Sequence, residues 1–147
     1  MTAATSRLAP AVAESLEKWH AMVAEANLAE LPAILHSRAV FRSPMAHTPY
    51  PGAQAVQLIL GTVVKVFEDF NYHRQFADAD GHGVVLEFSA KVNGKELKGI
   101  DMVRFDEEGK IVDFEVMVRP MSGLQALGDE MGKRLAPYLA AMKGVKA

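Results

Sequence analysis

The spacing of apolar residues in this chain changes from a helical period to a strand period close to residue 71, and that change leaves few architectures open. From there the alternation runs at every second position through 71–77, 84–92, 96–105 and 111–119. Three turn signals separate these stretches: DADG, the Asn93-Gly94 dipeptide and DEEG. Asn-Gly is the strongest of them, because both residues tolerate the positive φ that a two-residue hairpin turn demands. Four strands in an antiparallel meander are predicted.

A two-residue turn at Asn93-Gly94 also fixes register. It sets Val92 opposite Lys95, Ala90 opposite Leu97, Phe88 opposite Gly99 and Leu86 opposite Asp101. With DEEG as a four-residue loop, Phe105 meets Lys110, Val103 meets Val112, Asp101 meets Phe114 and Gly99 meets Val116. One face then carries Leu86, Phe88, Val103, Val112, Phe114 and Val116, with Asp101 at its centre. A carboxylate there is costly unless paired, and burial favours its protonated form. Asp101 is therefore expected to act as a hydrogen-bond-donating acid in a dry pocket. The reverse face mixes Val85, Ile100, Met102 and Met117 with Glu87, Arg104, Asp113 and Glu115. Apolar anchors among polar groups suit a subunit contact, so a homodimer through this face is expected.

The first half is helical by spacing. Leu8, Val12, Leu16, Trp19, Val23 and Ala26 form one stripe, with Pro10 tolerated near its start. A short second helix is predicted around Leu28, Leu31 and Leu35, capped by Asn27 and Glu30, and a third from Gly52 through Val56, Leu60, Val63, Phe67 and Phe70. Between them FRSPMAHTPYPG holds three prolines and is predicted as a loop or lid. After the strands, Leu124, Leu127, Met131, Leu135, Tyr138 and Met142 return to helical spacing. Gly123, Gly128 and Gly132 on that segment suggest a helix that packs closely or covers something.

At 147 residues the expectation is one domain over 1–147 with one core. A net charge of -2 argues against a general nucleic-acid or membrane-surface binder. With no cysteine there is neither a disulfide nor a thiolate zinc site. Neither a membrane-spanning run nor a signal peptide is evident, so a cytoplasmic protein is expected. The five histidines, His20, His36, His47, His73 and His82, show no tight ligand pair, so no metal and no cofactor is expected.

Helices, a lid loop, a meander and a closing helix, in that order, resemble the NTF2-like superfamily, which includes ketosteroid isomerases, SnoaL-type cyclases and limonene epoxide hydrolases. The likeness covers roughly residues 8–120. It implies an α+β, cone-shaped fold, with three N-terminal helices packed on a curved antiparallel sheet and an extra C-terminal helix. Its sharpest part is IDMVRFDEEGKI, similar to the isomerase strand-turn-strand whose aspartate donates a hydrogen bond to a developing enolate oxygen; Asp101 matches that aspartate. The isomerase's base corresponds to Ser43, before Pro44, and its tyrosine donor to Trp19. Only one of the three roles is kept in kind. The stretches VLEFSAKV and FEVMVRP lack the two aspartates and arginine of the epoxide hydrolases.

Other residues are candidates to supply a base. His47 and Tyr50 lie in the lid, and His73 shares the Asp101 face if the DADG turn keeps parity, which would make a His-Asp dyad. Trp19, Ser43, Tyr50, Leu86, Phe88, Phe114 and Val116 are the candidate ligand-binding wall. The expected function is binding of a small, largely apolar molecule bearing a carbonyl or hydroxyl, with cofactor-independent isomerase, cyclase or dehydratase chemistry through Asp101, His73 and His47. The alternative is a non-catalytic ligand-binding or dimerisation module of the same fold.

Overall fold

A computed structural model describes residues 8–144, and their side chains as far as Tyr138. Met142, on the last helix's apolar stripe, lies outside the described side chains. Helix α1 (Pro10–Ala24) starts on a proline, which has no N–H to leave unpaired in the first turn. It buries Val12, Ser15, Leu16, Trp19 and Met22, the three-and-four spacing of the sequence. The Ser15 hydroxyl donates to the Gly109 carbonyl at 2.6 Å and ties the helix to a sheet turn.

The second helix is shorter than expected. Leu31–Ile34 make one 3-10 turn, and the chain then extends as β1 (Leu35–Arg42), continuing through Phe41 and Arg42, the first residues of the segment assigned to the lid. Pro32 accounts for this, since its ring suits the first positions of a turn but not the body of a helix. The lid closes with a short strand, β2 (Tyr50–Pro51). Helix α2 (Ala53–Val66) buries Val56, Ile59 and Leu60. It stops before Phe67 and Phe70, and Phe70 belongs to the next strand.

The meander is β3 (Glu68–Ala77), β4 (Gly83–Val92), β5 (Lys95–Phe105) and β6 (Ile111–Arg119), followed by α3 (Met121–Gly144). Strand order is β2-β1-β6-β5-β4-β3. All neighbours are antiparallel except β1 and β6, which are parallel, so the sheet is mixed where an antiparallel one was expected. Among the described residues the result is an α+β fold of three α-helices on a six-stranded curved sheet. Among the described residues, no helix is long and apolar enough to cross a membrane.

Register across Asn93-Gly94 is as the turn predicts: Val92 meets Lys95, Phe88 meets Gly99 and Leu86 meets Asp101. On the other side the β5–β6 ladder shifts between Arg104 and Phe105, so Phe105 meets Ile111, Val103 meets Phe114, Asp101 meets Val116 and Gly99 meets Val118. The displacement from the expected pairing is one residue at Phe105 and two from Arg104 onwards. Because side chains alternate with period two, Phe114 and Val116 keep their face. Val112 falls at the irregularity, and Ile111 is buried in its place. Gly99 permits a close approach here: a side-chain carbon would lie 2.5 Å from the Met117 carbonyl oxygen and 2.6 Å from the Phe88 ring.

Candidate functional site

Between the sheet, α1, α2 and α3 lies a cavity of about 200 Å³. Its walls take Phe41 from β1, Ile59 and Val63 from α2, Phe114 and Val116 from β6, and Leu127, Met131 and Leu135 from α3. The lid contributes Ser43, Pro44, Met45 and Tyr50. No lysine, arginine or histidine lines it among the described residues. The closing helix covers the cavity of its own chain, with Gly128 and Gly132 on the wall. Gly128 faces Met45, whose terminal methyl lies 2.6 Å from where a side-chain carbon would sit.

Asp101 is 6% exposed and lines this cavity from the middle of β5. Its Oδ2 accepts a 2.6 Å hydrogen bond from the Tyr72 hydroxyl, and Tyr72 Oη accepts one of 3.0 Å from the Trp19 indole. Burial pushes the Asp101 carboxyl up to about 7, against a partial opposing pull from the Tyr72 hydrogen bond. The Tyr72 phenol is pushed well above its usual value, first by burial and then by the charge and hydrogen bond of Asp101. Desolvation dominates at Asp101 because, among the described residues, no cation lines the cavity to favour the carboxylate. A carboxyl that titrates near neutrality in a dry wall can donate a proton below its pKa and accept one above it.

Trp19 packs at 5.2 Å on Phe114, which stacks at 6.1 Å on Phe41. Tyr72 is held edge-on by Phe70 at 4.8 Å, and Phe70 stacks on Phe88 at 5.1 Å. These rings fix Tyr72, which donates to Asp101, and Trp19, which donates to Tyr72. Trp19, Ser43, Tyr50, Phe114 and Val116 lie on the cavity wall. Leu86 and Phe88 do not line it; they are fully buried one layer behind, where Phe88 supports Phe67, Phe70 and Tyr72. The Ser43 hydroxyl accepts from the Met45 N–H at 3.0 Å and shapes the lid.

The two histidines lie elsewhere. His73 was expected on the Asp101 face, yet its Nε2 is 2.7 Å from the Ser89 hydroxyl on the reverse face. The cause is an irregularity in β3: Gln75 meets Leu86 but Tyr72, not His73, meets Phe88. One extra residue on β3 reverses the parity. His47 is exposed in the lid and does not line the cavity. Tyr72 is the residue that sequence reasoning missed. The signal for it was the aromatic alternation Phe70, Tyr72, hidden because Phe70 also fits the helical stripe of α2.

On the reverse face, Glu87 is 5% exposed and is held by Arg74 at 2.7 Å and Lys98 at 3.0 Å. Arg74 and then Lys98 keep its carboxyl far below the usual range. Met102 and Met117 stand exposed beside this network, and Arg42 and Arg104 pair with Asp113 and with Asp78 and Asp80. Among the described residues, no group of three or more histidine, aspartate or glutamate side chains converges where an ion could be held.

A family model described as SnoaL-like domain matches residues 16–114. A Pseudomonas aeruginosa crystal structure described as a steroid delta-isomerase is 66% identical, with a TM-score of 0.87 over 90% of this chain and 97% of that one. A Silicibacter pomeroyi protein, described as uncharacterised with a cystatin-like fold, is 30% identical, with a TM-score of 0.81 over 90% of this chain and 93% of that one. An epoxide hydrolase/cyclase-like enzyme of pyran-ring formation in salinomycin shares the fold at 18% identity, with a TM-score of 0.62 over 75% of this chain and 91% of that one. No curated protein matches the chain significantly.

Proposed function

The chain belongs to the SnoaL-like family of the NTF2-like superfamily, and from that premise we propose that its cavity binds a small, neutral, largely apolar carbonyl compound and that Asp101 acts on the carbonyl oxygen. The observation that carries this reading is a buried carboxyl, raised to about 7, on the wall of a cavity whose described lining holds no cation. A carboxylate or phosphate ligand would meet no positive charge there, and its own charge would oppose ionisation of Asp101. A neutral carbonyl gains a hydrogen bond from the protonated acid, and that bond strengthens as enolate charge develops on the oxygen. The volume suits a monocyclic or compact bicyclic molecule, by comparison with a dry cavity of about 150 Å³ that holds benzene.

The proposed chemistry is isomerase-like: a proton leaves carbon while the carbonyl oxygen is stabilised. The relative described as a steroid delta-isomerase supports this class of reaction. With His73 on the reverse face and His47 outside the cavity, the neutral Asp101 gives its hydrogen bond to the carbonyl oxygen while a solvent water takes the proton from carbon and later returns it, so that Asp101 ends as it began. The competing reading, a binder without turnover, is favoured because the described lining holds no histidine, lysine or second carboxyl to act as base. Deuterium exchange into a monocyclic enone such as isophorone, followed by NMR, tests the choice. Exchange slowed about 100-fold or more in Asp101→Asn supports catalysis. Exchange at the buffer rate, with affinity that depends on Asp101, leaves binding alone. Affinity and exchange both unchanged by the substitution would refute the role of Asp101.

We further propose that the reverse sheet face joins two copies of the chain. Exposed Met102 and Met117 beside the neutralised Glu87 network support it, since apolar anchors among satisfied charges characterise such contacts.

A further inference from the structure

The three polar groups Trp19, Tyr72 and Asp101 form a chain whose direction is set by what each can donate. An indole N–H can only donate, so at 3.0 Å it must give its hydrogen to Tyr72 Oη. A phenol oxygen, conjugated with its ring, offers one O–H and one in-plane lone pair. With the lone pair taken by Trp19, the O–H is left for Asp101 Oδ2, 2.6 Å away. Oδ2 must then accept. A neutral Asp101 therefore has one other place for its proton, Oδ1.

Oδ1 also has access to a ligand. The one described buried side-chain atom that has neither a hydrogen-bond partner nor open space is Gln57 Oε1. Oδ1 has no partner among the described residues and is not in that state, and Asp101 is a wall residue of the cavity. We propose that Tyr72, held by Trp19, is a positioning residue that confines the proton of Asp101 to Oδ1, so that the acid presents its O–H to the cavity and never to the phenol. This rests on the reading of Asp101 as the group that meets the ligand. It adds how one orientation of that group is selected before any ligand arrives. The benefit is preorganisation: the donor need not be reoriented when charge develops on the ligand oxygen.

Few other ionisable groups bear on this chain. Tyr50 lies on the cavity wall, and His20 of α1 meets Tyr72 edge-on at 5.1 Å, its pKa lowered by burial against the opposing effect of a hydrogen bond with Gln75. Among the described residues, β6, α2 and α3 contribute only uncharged side chains to the cavity wall. Hence the titration of Asp101 reports on Tyr72 with little interference.

The test needs no substrate. The protein is labelled at aspartate side-chain carboxyl carbons, and Asp101, assigned by its loss in Asp101→Asn, is titrated by NMR and examined by infrared difference spectroscopy at a pH where it is protonated. In Tyr72→Phe the pKa of Asp101 should rise by about one unit or more, because a hydrogen bond to the charged form is lost. Its C=O stretch should move to higher wavenumber, because the carbonyl oxygen loses its donor. Tyr72→Phe leaves the Trp19 N–H without an acceptor, so the double variant Trp19→Phe/Tyr72→Phe, which removes both ends, should show the same two shifts. A stretch that stays put or falls in both variants would mean that Asp101 donates to the phenol, and would overturn the proposal. An unchanged pKa would do the same. If the shifts appear but no enone is bound or exchanged, the functional reading fails while the proton placement stands.

Discussion

Replacing Asp101 by asparagine should stabilise this protein at neutral and alkaline pH while leaving it little changed in acid. Asparagine has the shape of the neutral acid and keeps an oxygen to accept from Tyr72. What it removes is ionisation. The carboxyl titrates near 7 in the fold against a reference of 3.8. The sign follows from proton binding: between these values the folded state holds a proton that the unfolded chain has released, so stability of the wild type falls as pH rises through this window and levels off above about 7. A rise of about three units corresponds to roughly 4 kcal/mol. The group is buried, so solvent screening takes little from this figure. Urea unfolding of both proteins at half-unit steps from pH 4 to 9 gives the difference directly. The gap should open from near zero at pH 4, reach about 4 kcal/mol by pH 8 and then stay flat. The strongly depressed carboxyls, Glu87 and Asp80, are common to both proteins and cancel. A constant gap, or one that closes with rising pH, would show that Asp101 is ionised in the fold across the whole range, and the dry-acid reasoning would be wrong.

Three further outcomes are expected. Gly99→Ala should cost about 1–3 kcal/mol in thermal or urea unfolding, because the new methyl meets the Met117 carbonyl and the Phe88 ring, neither of which can retreat. Gly128→Ala should hold or raise stability by up to about 1 kcal/mol through helix propensity, yet weaken isophorone binding in a calorimetric titration, since the added carbon displaces Met45 towards the cavity. Met102→Asp should turn a dimer into a monomer in sedimentation at micromolar concentration; a wild type that is already monomeric there would end the interface proposal.

The meander was legible because its turns are chemically explicit. Asn93-Gly94 left one pairing for β4 and β5, and with it the neighbours of Asp101 on that side. What was missed lay where local pattern and long-range pairing disagree. Residues Leu35–Arg42 show no clean alternation, since His36, Ser37 and Arg38 interrupt it, and they become a strand because β6 lies along one side and β2 along part of the other. The Tyr72 and His73 exchange turned on one extra residue in β3, which no single strand announces in its own composition. The polar heart of the site was therefore half visible: Asp101 by its unlikely place on an apolar face, its phenol partner not at all.

The parallel pairing of β1 with β6 has a bearing on how the fold is reached. Leu35 finds its neighbour at Ile111 and Phe41 at Phe114, so the contact that completes the sheet joins distant parts of the chain and carries a large loop-closure entropy. The β3–β6 hairpins can zip locally and early. During synthesis the N-terminal third must wait, its first strand unpaired on that side, until the last strand has emerged. Closure of the sheet and creation of the cavity are thus one late event, and slow refolding should be sensed at Phe41 and Trp19 only after the turn at Asn93 has formed.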